Sequence, residues 1–146
     1  MYSRIFKFIK RKILKKFFLT IFWELKSFLI NEIINYKKCT KSKYGIYFKN
    51  NWIDVTFRFY IEASYGFFYW DRLKSVSKDF IFLDIGANQG LFSICAAQNP
   101  RCKKVYAFEP VNKTFSLLKK NIKRNKVEKK FIIFKKGIGL REERKL

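Results

Sequence analysis

The sequence predicts an α/β chain built on a parallel sheet, and three observations carry that prediction. First, an apolar run, Phe80 to Leu83, ends in Asp84, and two glycines, Gly86 and Gly90, then bracket Ala87-Asn88-Gln89 before a second apolar stretch, Leu91 to Ala97. A short apolar run that stops at glycine reads as a buried strand, and the stretch behind it has helical spacing. Second, residues 103–109 repeat the strand pattern and close on another carboxylate, Glu109, followed by Pro110. Third, helical periodicity over 112–125 leads into a third short strand, Phe131 to Phe134. Strands and helices alternating at this spacing imply parallel pairing with right-handed crossovers. Glycine allows a sharp turn and close approach of the backbone to a ligand, and a helix start presents unpaired N–H groups. Residues 80–90 are therefore the expected cofactor site.

With 146 residues the chain can form one core of ordinary size. Its 49% hydrophobic and 20% aromatic content excludes a disordered chain. The formal charge of +22 asks for a polyanionic partner such as nucleic acid, acidic lipid or a phosphorylated substrate. The same bias towards Phe, Ile, Lys, Asn and Tyr would arise from an A+T-rich coding sequence, so charge alone does not assign nucleic acid. Cys39, Cys95 and Cys102 form no C-x-x-C pair, and the chain has no histidine. A Cys/His zinc site and Ser-His-Asp or Cys-His catalysis are thereby excluded, and no metal site is expected. The thiols read as reduced, in a cytoplasmic protein, with Cys95 packed in the helix after the glycine turn.

Three regions follow in order. In 1–43, residues 2–34 have apolar side chains at a spacing of three and four, with Arg4, Lys7, Lys10, Arg11, Lys12, Lys15 and Lys16 between them. Glu24, Lys26 and Glu32 rule out a membrane span, and a basic start with no small-residue cleavage site argues against a secretory signal. This cationic helix either packs on the domain's own core or lies on an anionic surface at the inner face of a membrane. Residues 37–43 read as a polar linker. In 44–79, alternation over Tyr44–Phe48 and Trp52–Tyr60 about Asn50-Asn51 predicts a β-hairpin. Residues 62–73 follow as a short helix whose aromatic cluster, Tyr65, Phe67, Phe68, Tyr69 and Trp70, is expected in the core, with a face towards substrate as the alternative. Residues 80–146 form the cofactor-binding half, with Asn112 as expected N-cap of the helix over 112–125 and an outer basic run over Lys119–Lys136.

The glycine pattern, G-x-x-x-G, is not the G-x-G-x-x-G of dinucleotide binders, and no Lys-Ser/Thr pair closes it as in a P-loop. A diphosphate favours bare N–H groups without a nearby carboxylate. Asp84 directly before the turn suits a cofactor that carries an ammonium and a sulfonium, namely S-adenosylmethionine. Glu109, 19 residues after Gly90, is placed to accept both hydrogen bonds of a ribose diol.

Three segments carry a family resemblance: Phe82-Leu-Asp-Ile-Gly-Ala-Asn-Gln-Gly-Leu-Phe-Ser, Val105-Tyr-Ala-Phe-Glu-Pro and Leu118-Lys-Lys-Asn-Ile-Lys-Arg-Asn. Over residues 80–140 the chain resembles the FkbM family of S-adenosylmethionine-dependent methyltransferases. The resemblance implies a Rossmann-like class I methyltransferase fold and O-methylation of a sugar or similar small-molecule or glycan hydroxyl. It places Asp84, Gly86, Ala87, Asn88 and Gly90 around the methionine part and Glu109 at the ribose. Such a domain continues beyond a third strand, so the chain is expected to be a truncated or split enzyme, and its general base stays unknown. Two further readings remain open: an RNA methyltransferase, favoured by the charge, and a non-catalytic fragment held at a membrane surface by residues 2–34.

Overall fold

The structure, a computed structural model, describes residues 18–26 and 39–139. Residues 18–26 are helical (α1), and Phe18, Phe22, Trp23 and Leu25 are exposed there. The rest of the helix predicted over 2–34, including its basic first half, and the tail 141–146 lie outside the described residues.

The predicted α/β sheet forms. Strands β3 (Phe80–Ile85), β4 (Cys102–Phe108) and β5 (Phe131–Phe134) pair in parallel in the order β3-β4-β5. Between them run α4 (Leu91–Gln98) and α5 (Asn112–Arg124). The register sets Asp84 beside Ala107 and Phe108 beside Phe134, so the strand ends that bear the site lie side by side. Val105 and Ala107 are buried together with Leu91, Ile94 and Cys95 of α4 and Leu118 and Ile122 of α5. Cys95 thus sits where the apolar pattern places it. Only Leu118, Asn121 and Ile122 are buried on α5, whose Lys119, Lys120, Lys123 and Arg124 turn away from the core.

The opposite face of the sheet is open. Ile81, Leu83 and Ile85 alternate with the inward residues of β3 and are 64%, 58% and 58% exposed. Residues 80–83 read as a strand buried on both sides because parallel strands ordinarily are. Among the described residues only one side is covered.

The region before β3 differs more. A hairpin exists, but its strands are β1 (Cys39–Lys41) and β2 (Tyr47–Lys49), paired antiparallel around a turn at 42–46. Asn50-Asn51 is not its turn, and residues 39–41 are strand rather than linker. The stretch read as the second arm is a helix, α2 (Val55–Glu62). Asp54 decides this: its carboxylate accepts from the N–H groups of Thr56 and Phe57, at 2.8 and 3.3 Å, as an N-cap. Helical turns then bury Phe57, Tyr60 and Ile61 at a spacing of three and four. Helix α3 (Phe68–Lys74) leads towards β3 and is tied down at its C-terminal end, where the buried Asn99 amide donates to the carbonyls of Leu73, Lys74 and Val76. On α5 the N-cap position is Val111, one residue before the expected Asn112.

Candidate functional site

The site forms where the chain leaves β3. Gly86 (φ +78°), Asn88 (φ +50°) and Gly90 (φ +95°) all take left-handed backbone, which explains two glycines and an asparagine at these places. A Cβ on Gly86 would meet nothing within 4 Å, so that side of the turn is open. One on Gly90 would lie 2.6 Å from Leu118 Cδ1, so Gly90 lets α5 pack against the start of α4. The turn is zipped to the end of β4: Gly86 and Ala87 both donate to the Phe108 carbonyl at 2.9 Å, and Asn88 donates to Glu109 Oε2 at 2.9 Å. Gly90 donates to Ala87 within the turn. Four N–H groups expected to face a ligand are therefore spent inside the protein. A turn of this kind is a poor cradle for a diphosphate, and its ligand chemistry falls to the carboxylates.

Asp84 and Glu109, predicted from sequence, are brought together. Asp84 accepts from the buried Ser93 hydroxyl on the first turn of α4. Glu109 is buried, and besides Asn88 it accepts from the Val111 N–H at 2.9 Å through Oε1. Each carboxylate oxygen can take about two hydrogen bonds, so Glu109 keeps acceptor capacity for a diol. Burial pushes the Asp84 carboxyl above the usual carboxylate range; the Ser93 bonds oppose this and the charge of Glu109 adds to it. The Tyr60 phenol is likewise pushed up, first by burial and then by the charges of Tyr65, Asp84, Asp54 and Glu109.

The raised Asp84 has a consequence for stability. The native state binds its proton more readily than the unfolded state does, so the stability this group contributes is full below the unfolded value and is lost as pH rises through the folded one. Above the folded value, ionised Asp84 is a burden on the fold. Asp84→Asn, whose amide oxygen still accepts from Ser93, is expected to melt higher than the parent at pH 7. The advantage should shrink as pH falls into the carboxylate range. Melting curves across that interval check it, and a variant less stable than the parent at pH 7 would contradict it.

Three residues of the site were not foreseen. Gln89 is fully buried and donates to Asp54 Oδ2 at 3.0 Å, wiring the glycine turn to the cap of α2. Asn121, also fully buried, donates to the Gln89 carbonyl at 2.8 Å and accepts from the Lys49 N–H at 2.7 Å. One turn on, Asn125 exchanges two hydrogen bonds with the backbone of Tyr47. The two asparagines, four apart on α5, serve as a partner for the edge of β2. Ser93 is the third. Their signal was Asn at i and i+4 on one helix face, and a serine among the apolar residues of α4. The predicted aromatic core is corrected as well: Tyr65, Phe67, Phe68 and Tyr69 are exposed, although Phe67 and Tyr65 still meet the core rings of Tyr44 and Tyr60, and Trp70 packs against the core.

The residues fit a small ligand with cationic groups and a ribose. The Asn88 side-chain oxygen is buried without a partner among the described residues, Gly86 leaves open space beside it, and two carboxylates converge from neighbouring strand ends. Among the described residues no group of three His, Cys, Asp or Glu could hold a metal ion, and no helix is long and apolar enough to cross a membrane.

Comparison with known proteins agrees with this geometry and corrects the family. A family model described as TRM5/TYW2 methyltransferase domain matches residues 43–138, about two thirds of the chain. Among solved structures, the chain is similar to aTrm5 in its complex with tRNALeu (32% identity, TM-score 0.51, covering 65% of this chain and 26% of that one). It is also similar to TYW2 of P. horikoshii in complex with MeSAdo (25%, 0.55, 68% and 36%) and to TYW2 of M. jannaschii in complex with AdoMet (26%, 0.52, 66% and 42%). The chain thus spans between about a quarter and two fifths of their lengths. No curated protein matches. The FkbM resemblance is overturned by these matches, and sugar-type O-methylation falls with it. The quoted segments lie at the ends of β3 and β4 and on α5. Nothing in the matches points to a membrane surface.

Proposed function

Because the chain belongs to the TRM5/TYW2 methyltransferase domain family, we propose that it binds S-adenosylmethionine at the β3–α4 turn and serves methylation of RNA, with tRNA as the substrate class. The pairing of Asp84 and Glu109 across a glycine turn whose N–H groups are internally used carries the donor assignment. The relatives solved with tRNALeu, AdoMet and MeSAdo support both donor and acceptor class. RNA methylation, the second reading of the sequence, thereby replaces the sugar acceptor, and a cytoplasmic setting accords with three free thiols.

When bound, the donor supplies an electrophilic methyl group on a sulfonium. The Asp84 carboxylate would attract the donor's ammonium, and Ser93 holds it in place. Asn88 would offer its unpartnered oxygen to the methionine part beside Gly86, with Ala87 buried behind it. Glu109 would accept from the ribose hydroxyls while its other lone pairs keep Asn88 and Val111 in position. No general base is assigned to a residue of this chain. The exposed lysines of α5 supply charge for the phosphate backbone.

Calorimetry should give heat with S-adenosylmethionine or its demethylated product and none with a nicotinamide dinucleotide. Binding of a tRNA transcript, followed by fluorescence anisotropy, should weaken about 100-fold between 50 and 200 mM salt, as release of about four counterions requires. Absence of donor binding, or tRNA affinity indifferent to salt, would overturn the respective half of the proposal.

A further inference from the structure

Gln89 sits between Asn88 and Gly90 in the turn after β3, and it is fully buried, an uncommon place for glutamine. Both of its ends are held. The side-chain amide donates to Asp54 Oδ2 at 3.0 Å, and the backbone carbonyl accepts from the Asn121 amide at 2.8 Å. Asp54 in turn divides its carboxylate between two duties. Oδ1 accepts from the N–H groups of Thr56 and Phe57 that open α2. Oδ2 accepts from Gln89 and, at 3.2 Å, from the Asn51 amide. One carboxylate thus caps a helix and anchors a turn 35 residues away in the chain.

The anchoring matters because the shape of the turn is costly by itself. Asn88 has a positive φ, and a non-glycine residue in left-handed backbone persists only where its surroundings hold it. On the β4 side the Phe108 carbonyl and Glu109 hold residues 86–88. The next residue is held from the other side, by Asp54 and Asn121. Asn88, whose buried side-chain oxygen is unpartnered among the described residues, therefore stands between two sets of anchors. The second set belongs to the region before the sheet: Asp54 begins α2, and Asn121 also accepts from the Lys49 N–H at the end of β2. Packing alone would be served better by an apolar side chain. Gln89 Oε1 is buried without a partner among the described residues, a cost that such a side chain of equal volume would avoid.

We propose that Gln89 is a positioning residue for the methyl donor, and that the Asp54–Gln89 link couples donor binding to the hairpin and α2 of residues 39–62. The proposal rests on the donor reading above and goes beyond it, since neither side chain is assigned a contact with the donor. With the link made, Gln89 fixes the peptide that follows Asn88, and the Asn88 oxygen is kept beside the open side of Gly86. With the link broken, the turn relaxes, and affinity falls with the fraction of molecules that hold the binding shape. The coupling is reciprocal. A bound donor must steady the cap of α2 by the same free energy by which that cap favours the donor.

Calorimetry with S-adenosylmethionine on the full chain tests the link, at a temperature where each variant is folded by circular dichroism. Gln89→Glu sets a second carboxylate against Asp54 and should bind the donor about 10-fold more weakly, a usual size for coupling between sites. Asp54→Asn/Gln89→Glu restores the bond with its direction reversed, the new amide donating to the new carboxylate. Asparagine caps a helix as well as aspartate does, so this pair should recover most of the lost affinity. Amide hydrogen exchange gives a second readout that needs no variant: saturating S-adenosylmethionine should slow exchange at Thr56 and Phe57, whose N–H groups Asp54 holds. Gln89→Glu binding as the parent does, no recovery in the exchanged pair, or exchange at Thr56 and Phe57 indifferent to S-adenosylmethionine would each refute the link and leave the donor reading standing. If the parent itself gives no heat with S-adenosylmethionine, the donor reading falls and the link falls with it.

Discussion

Gly90→Ala should be among the most damaging single substitutions in the chain, costing about 3 kcal/mol or more of stability and abolishing donor binding. Two separate effects add at this position. The backbone φ of +95° is one that an L side chain rarely adopts, a strain of about 1–2 kcal/mol. The added methyl would lie 2.6 Å from Leu118 Cδ1 and 3.3 Å from Ile94 Cδ1, both fully buried, and overpacking of a filled core costs about 1–3 kcal/mol. Neither neighbour can swing into solvent, so α5 must move away from α4. Gly86→Ala is the internal control. It shares a positive φ (+78°) but has open space on the Cβ side, so only the backbone strain applies and the stability loss should be about half as large. Urea unfolding of both variants checks the ordering. Equal losses would mean that backbone strain, and not the contact with α5, fixes the glycine at 90.

How much of this was legible in the sequence depends on the range over which each signal acts. The β3 turn, both carboxylates and the parallel alternation were readable because each is encoded in a short continuous stretch: an apolar run, a glycine pair, a carboxylate at the strand end. Residues 52–60 misled because alternation of Ile53, Val55, Phe57 and Phe59 satisfies a strand as well as it could, while the helix is settled by one side chain, Asp54, and by burial of Phe57, Tyr60 and Ile61 that only tertiary packing reveals. The internal use of the turn's N–H groups was invisible for a similar reason. It depends on where the Phe108 carbonyl and Glu109 arrive, and those come from a strand 20 residues further on. Asn121 and Asn125 look like ordinary polar positions on a cationic helix until the edge of β2 is laid beside them. The acceptor was misread because the sugar reading rested on a family resemblance and on no side chain of this chain.

Glu109→Ala should separate the two duties that the structure gives this side chain. As a strut buried Glu109 satisfies the N–H groups of half-buried Asn88 and exposed Val111, both at 2.9 Å. Leaving a buried donor unpaired costs about 1–3 kcal/mol, and since water can take over the bond of the exposed Val111, the loss of stability should be about 1–3 kcal/mol, set mainly by the Asn88 N–H. As a ligand group it would also lose the bonds to a ribose diol, and a hydrogen bond to a charged acceptor contributes about 1.5–3 kcal/mol, or roughly 10- to 150-fold in affinity. Glu109→Gln sharpens the distinction. Its amide keeps one acceptor oxygen but points an NH2 at one of the two backbone donors, so it should weaken the fold nearly as much as alanine does while retaining part of the diol contact. Calorimetry with S-adenosylmethionine must therefore be made at a temperature where each variant is fully folded by circular dichroism. An alanine variant that binds the donor as tightly as the parent under those conditions would make Glu109 a structural strut only, and the ribose contact would have to be sought elsewhere at the end of β4.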